Sequence, residues 1–159
     1  MSQTQKVKSS DYRALAEFRY QIRRFVRFSE EAARQAAVEP QHHQLMLAVK
    51  GKPDGEPARI AYLAEHLQIQ HHSAVELVDR LVRKGLITRT RGEQDRREVY
   101  VQLTPRGEHI LDELTVHTRA ELRSAAPALV ATLRHLTQQG KTGRLPRRRP
   151  RTAAARRSK

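Results

Sequence analysis

The residues with the plainest chemistry sit in one short polar run, where Arg91, Arg96 and Arg97 accompany Asp95 between two stretches of alternating apolar residues. A guanidinium offers a planar fork of donors that suits phosphate oxygens, so this run points to polyanion binding rather than bond-making. Histidine is the other reactive type: there are eight, including the adjacent pairs His42-His43 and His71-His72. Adjacent imidazoles project about 100° apart on a helix, and neither pair has the i, i+4 spacing that aligns two metal ligands on one face. There is no cysteine, which removes disulfide frameworks, thiolate metal sites and thiol redox chemistry. No nucleophile, base and orienting group stand out as a set, so no catalytic residue, cofactor or metal site is expected.

Several elements must hold these groups in place. Leu63, Ala64 and Leu67 recur at helical intervals, residues 68–70 interrupt them, and Ala74, Leu77, Val78, Leu81 and Val82 resume the period. Lys84 and Gly85 close the second helix, with a cation at its carbonyl end and a glycine free to turn left-handed. The period then changes to two: Val99, Val101 and Leu103 alternate with Glu98, Tyr100 and Gln102, and residues 86–91 can pair with them as an antiparallel hairpin. Helix, turn, helix and hairpin in this order predict a winged helix-turn-helix, a mainly α fold with a small β-wing (α+β). Residues 58–60 can add a third strand.

Longer helices flank this unit. Asp11 is placed to cap a helix carrying Leu15, Phe18, Ile22, Phe25, Phe28 and Ala32, which Glu39-Pro40 ends. Gln41 to Lys50 is a second helix, and 51–57 is a loop by composition. Thr104-Pro105 starts another long helix, with a kink or a new helix expected at Pro127. The apolar stripe of the first helix is too long for a small lobe to cover, so a second copy of the chain is the expected cover.

Lys and Arg number 31 against 17 Asp and Glu in 159 residues, a formal charge of +14. Nine of the basic residues and no acidic ones fall from Lys141 onward, leaving the remainder near +5. Residues 1–10 read as a flexible N-terminus, 11–139 as the folded domain with its DNA-binding lobe at about 58–104, and 140–159 as a disordered basic tail. Arg147, Arg148, Arg149 and Arg151 of that tail are candidates for phosphate contact. Aromatic residues make up 4%, too few for base-stacking platforms, which favours duplex DNA over single strands. No apolar run approaches a membrane span, and a cytoplasmic protein without membrane contact is expected.

The sequence LAEHLQI-x4-AVELVDRLVRKGLITR, the Asp-x-Arg element at Asp95-Arg96-Arg97, and Val-x-Leu-Thr-x-x-Gly from Val101 to Gly107 together resemble the MarR family of winged helix-turn-helix regulators. The resemblance spans residues 11–136. It implies a homodimeric, double-stranded-DNA-binding transcriptional regulator, often a repressor, released from a pseudo-palindromic operator by a small-molecule effector. It also implies that Gln70, His71, His72, Ser73, Val75 and Glu76 form the exposed face of the recognition helix, and that Arg97 enters the minor groove. Where the family often has Ser-Pro-Ser-Thr, this chain has Gln70-His71-His72-Ser73, so its base preferences are its own. Phe25, His42, His43 and Met46 are candidates for the effector pocket. Two alternatives carry weight: an architectural, weakly sequence-specific DNA-binding protein driven by the basic tail, and a metal-responsive regulator.

Overall fold

The computed structural model describes residues 7–92 and 98–138. Five helices and three strands follow one another as α1 (Ser9–Gln35), α2 (Pro40–Lys50), β1 (Ala58–Arg59), α3 (Ile60–Leu67), α4 (His71–Arg83), β2 (Ile87–Arg91), β3 (Val99–Leu103) and α5 (Pro105–Gln138). This is the expected mainly helical fold with a small wing.

The start of α1 lies two residues before the expected cap. Asp11 instead occupies its first turn and accepts a hydrogen bond from the Lys8 backbone N–H at 2.8 Å. A carboxylate there also complements the positive end of the helix. Ala37, at φ 57°, turns the chain out of α1, and Pro40 opens α2 at a position where its missing N–H costs nothing.

The winged lobe is built around α2, α3 and α4. Leu45, Met46, Leu63, Leu81, Ile87 and Leu111 are at most 2% exposed and meet in one cluster. Each contributes on the order of 2 kcal/mol of apolar burial. Gln68, at φ 54°, makes the turn between α3 and α4, and its own side chain ties back to the Glu65 carbonyl at 2.6 Å. The sheet has the order β1-β3-β2, antiparallel throughout, with Ala58 opposite Val101 and Ile87 opposite Leu103.

A tight joint links α4 to α5. Gly85 (φ 67°) ends α4, and Thr104 then bridges the two helices: its N–H donates to the Leu86 carbonyl at 3.1 Å, and its hydroxyl donates to the Gly85 carbonyl at 2.8 Å. The same hydroxyl oxygen accepts the Gly107 N–H at 3.0 Å, capping α5 as expected. A Cβ on Gly107 would lie 2.1 Å from the Leu86 carbonyl oxygen, so only glycine permits this approach.

The new helix expected at Pro127 does not occur. A single helix of 34 residues runs through the proline. Proline forfeits one hydrogen bond, but Ala125, Ala126 and Ala128 around it are the best helix formers, and α1 packs alongside. The two helices are antiparallel: Arg24 pairs with Glu121 at 3.4 Å, the Phe28 and His117 rings stack at 5.1 Å, and Ser10 and Ala14 share a cleft with Ala131 and His135.

The single apolar stripe read for α1 resolves into two faces. Phe25 and Phe28 turn toward α5, Phe25 lining a cavity with Thr118 and Phe28 stacking on His117, and Phe18 is half-buried like them, whereas Tyr12, Leu15, Ile22 and Val26 are exposed, at 65%, 49%, 40% and 39%.

Candidate nucleic-acid interface and effector cavity

The rear face of α4 is anchored by Ala74, Leu77, Val78 and Leu81, all buried. Helical geometry then presents Gln70, His71, His72 and Glu76 to solvent, with Gln70 at the N-cap. Two residues of the expected reading face differ. Ser73 is half-buried, and Val75 is half-buried because it packs at the edge of the core. No side chain among the described residues caps α4, so the free N–H groups of its first turn point outward with the positive end of the helix dipole, a geometry that suits a phosphate.

The wing rises beside α4. Its base is pinned by Glu98, whose carboxylate accepts from Arg59 Nε at 3.0 Å and from the Tyr100 hydroxyl at 2.6 Å. The Arg59 guanidinium also lies 5.6 Å over the Tyr100 ring. Tyr100 and Arg59 hold the Glu98 carboxyl below its ordinary range, and Glu98 in turn raises the Tyr100 phenol. The wing therefore stands on a charged clamp that joins β1 to β3. Arg91 is exposed at the end of β2. Asp95, Arg96 and Arg97 lie outside the described residues, as do Arg147, Arg148, Arg149 and Arg151.

Two further cations that could reach phosphate are engaged elsewhere. Arg89 on β2 pairs with Asp79 of α4, locking the wing strand against that helix. Lys84, at the end of α4, pairs with Glu39 at 3.1 Å.

A cavity of about 390 Å³ lies where α1, α2 and α5 meet. Phe25 and His43 line it, joined by Ser29, Leu47, Thr118 and Arg119. His42 and Met46 do not line it. Both are fully buried on the opposite side of α2, because residues 42, 45, 46 and 49 share the face that packs into the lobe while 43 and 47 share the other. Burial holds both imidazoles below the ordinary histidine range, with no partner to offset it for His43 and only Glu39, 3.7 Å from Nε2, for His42. Neither ring nitrogen of His42 has a hydrogen-bond partner among the described residues, and the same holds for the buried Thr118 hydroxyl.

The cavity residues from α5 were missed because they lie some 90 positions from α1 in the chain. The available signal was Thr118, a polar residue on a helix face otherwise made of Leu111, Leu114 and Leu122. Among the described residues no group of three or more His, Asp or Glu could hold a metal ion, and no helix is long and apolar enough to cross a membrane.

Residues 38–98 match the model of the MarR family. Among solved structures, AbsC from Streptomyces coelicolor, a MarR family transcriptional regulator, superposes with a TM-score of 0.68 at 18% identity, over 87% of this chain and 94% of that one. A cysteine-to-serine mutant of E. coli MarR complexed with operator DNA gives 0.60 at 20% identity, covering 77% and 89%. Bordetella bronchiseptica BpsR, whose DNA binding is regulated by 6-hydroxynicotinic acid, gives 0.58 at 18% identity, covering 76% and 92%. No curated protein sequence matches the chain.

Proposed function

We propose that this chain belongs to the MarR family, whose model its residues 38–98 match, and that it is a transcriptional repressor that binds a pseudo-palindromic operator as a homodimer and is released by a small molecule. The observation that carries this reading is α4: a helix of groove-filling size, anchored from behind by four buried residues, with polar side chains and an uncapped amino end facing outward. The operator complex of E. coli MarR supports that use of the fold.

The dimer reading rests on Tyr12, Leu15, Ile22 and Val26, an apolar stripe along α1 that none of the described residues covers. The effector reading rests on the cavity at α1, α2 and α5, which joins the arm to the lobe and holds a buried hydroxyl, that of Thr118, with no hydrogen-bond partner among the described residues. BpsR supports it by the regulation its structure describes. An effector there acts through its different affinity for two spacings of the recognition helices. Wing contacts are assigned to Arg91, Arg96 and Arg97, with Asp95 orienting the tip.

Selection of bound duplexes from a random pool tests the reading. The expected result is an inverted repeat with half-sites about one helical turn apart, preferred by on the order of 10³-fold or more over scrambled duplex. Absence of enrichment, with a steep salt dependence alone, would instead establish the architectural reading that the nine basic residues after Gly140 favour.

A further inference from the structure

At about 100° per residue, His72, Glu76, Asp79, Arg80 and Arg83 fall on one side of α4, opposite the buried Ala74, Leu77, Val78 and Leu81. Two of these five are carboxylates, on the surface that the proposed function turns toward a polyanion. One of the two is accounted for within the fold: Asp79 pairs with Arg89 of β2 and so ties the wing to the helix. Glu76 has no such tie. It is the first exposed residue after His71 and His72, its side chain is 64% exposed, and its ion pair among the described residues is with Arg80, one turn along the same helix, at 3.5 Å. An exposed i, i+4 pair adds little to folding, so stability does not explain a carboxylate here. Both side chains line an open groove between α4 and β2.

A carboxylate is repelled by phosphate and by most of what a base edge displays. In the major groove guanine shows the acceptors N7 and O6 and thymine shows O4, while the donors are cytosine N4 and adenine N6. Adenine sets its N7 acceptor beside the amino group, whereas cytosine has a C–H there. Cytosine is therefore the base that a carboxylate can face without a second repulsion. Arg80 makes the approach feasible, because its guanidinium offsets the charge that Glu76 carries toward the phosphates and holds the carboxylate to one side of the helix.

We propose that Glu76 selects a cytosine in each operator half-site by accepting a hydrogen bond from its N4 amino group, with Arg80 as the residue that positions the carboxylate. The same carboxylate rejects guanine and thymine at that position, since each would set an acceptor against it. The assignment rests on the reading of α4 as the operator-facing helix, and its test separates the two.

Duplexes are selected from a random pool in parallel by full-length wild type and full-length E76Q. Wild type is expected to enrich an inverted repeat in which one position of each half-site prefers cytosine by at least about tenfold. Glutamine offers a donor and an acceptor, which suit adenine N7 and N6, so E76Q should turn that position to adenine and leave the others unchanged. Replacing the cytosine by N4-methylcytosine, which removes the outward hydrogen, should weaken wild type by at least about fivefold and E76A by less than about twofold. R80Q should relax the cytosine preference while neighbouring positions keep theirs, and R80K should restore it. A uniform loss across all sequences in R80Q, with a salt slope lower by about 0.9, would make Arg80 a phosphate contact and overturn its positioning role. If wild type and E76Q enrich the same repeat, or N4-methylation leaves wild-type binding intact, the cytosine assignment falls while the reading of α4 stands. If wild type enriches no repeat, the reading of α4 falls and the assignment with it.

Discussion

In the winged lobe, Leu45, Met46, Leu63 and Leu81 are closed to solvent on every side by three helices and a sheet. In the arm, two longer helices meet along a single face and leave Tyr12, Leu15, Ile22 and Val26 open, with Val130 and Leu133 also exposed on α5. Length did not decide the outcome. The lobe closes because short elements, turned by Gln68 and Gly85, fold back on one another, whereas antiparallel rods offer each other one stripe. The lobe is a finished core, whereas the arm leaves one apolar side open.

Truncating a residue of the finished core should have the largest effect. Leu81→Ala removes a fully buried side chain and is expected to cost about 3 kcal/mol of folding stability, read as a lowered urea midpoint. A cost under about 1 kcal/mol would mean that the lobe is as loosely closed as the arm. In the arm the same chemistry should act on association. If the proposed dimer forms through this stripe, Ile22→Asp with Val26→Asp should raise its dissociation constant about hundredfold, about 2.7 kcal/mol, in sedimentation, while the folded signal of the lobe persists. An unchanged dimer would show that this stripe is ordinary surface.

The smallest expected effect probes the boundary between the two regions, at α2. Burial depresses both His42 and His43, so the unfolded chain takes up protons more readily than the folded one. Their stabilising contribution is fully present above the ordinary histidine value near 6.5 and is lost as pH falls below it toward the depressed folded values. His42→Phe removes two buried ring nitrogens that have no hydrogen-bond partner among the described residues and should gain about 1 kcal/mol at pH 7.5, with a shallower decline toward pH 5.5 in urea titrations. An unaltered pH profile would place the titrating group elsewhere.

The lobe was legible in the sequence because its signals are local. The apolar period from Ala74 to Val82, Gly85 after it and the alternation from Val99 to Leu103 each occupy a dozen residues or fewer, and each element stands where its own pattern put it. The arm was less legible because helical periodicity identifies apolar positions without saying which neighbour covers them. Phe28 and Ile22 read as one stripe, yet one stacks on His117 of α5 and the other is exposed. His42 and Met46 lie outside the cavity that Phe25 and His43 line for a related reason. Adjacent positions on α2 serve opposite regions, and only the packing of α5 against α1 shows which side holds the cavity. Pro127 misled in the opposite sense, since a local rule for ending helices yielded to packing along the whole of α5.

Thr104 welds the carboxyl end of α4 to the amino end of α5, so the two helices share a fulcrum. With an arm about 50 Å long, a displacement of about 3 Å at its far end corresponds to a rotation of only about 3° at that fulcrum. On the proposed reading of α4 as the operator-facing helix, the joint would act as a reduction gear, by which coarse movement among the distal helices reaches α4 as a fine angular adjustment.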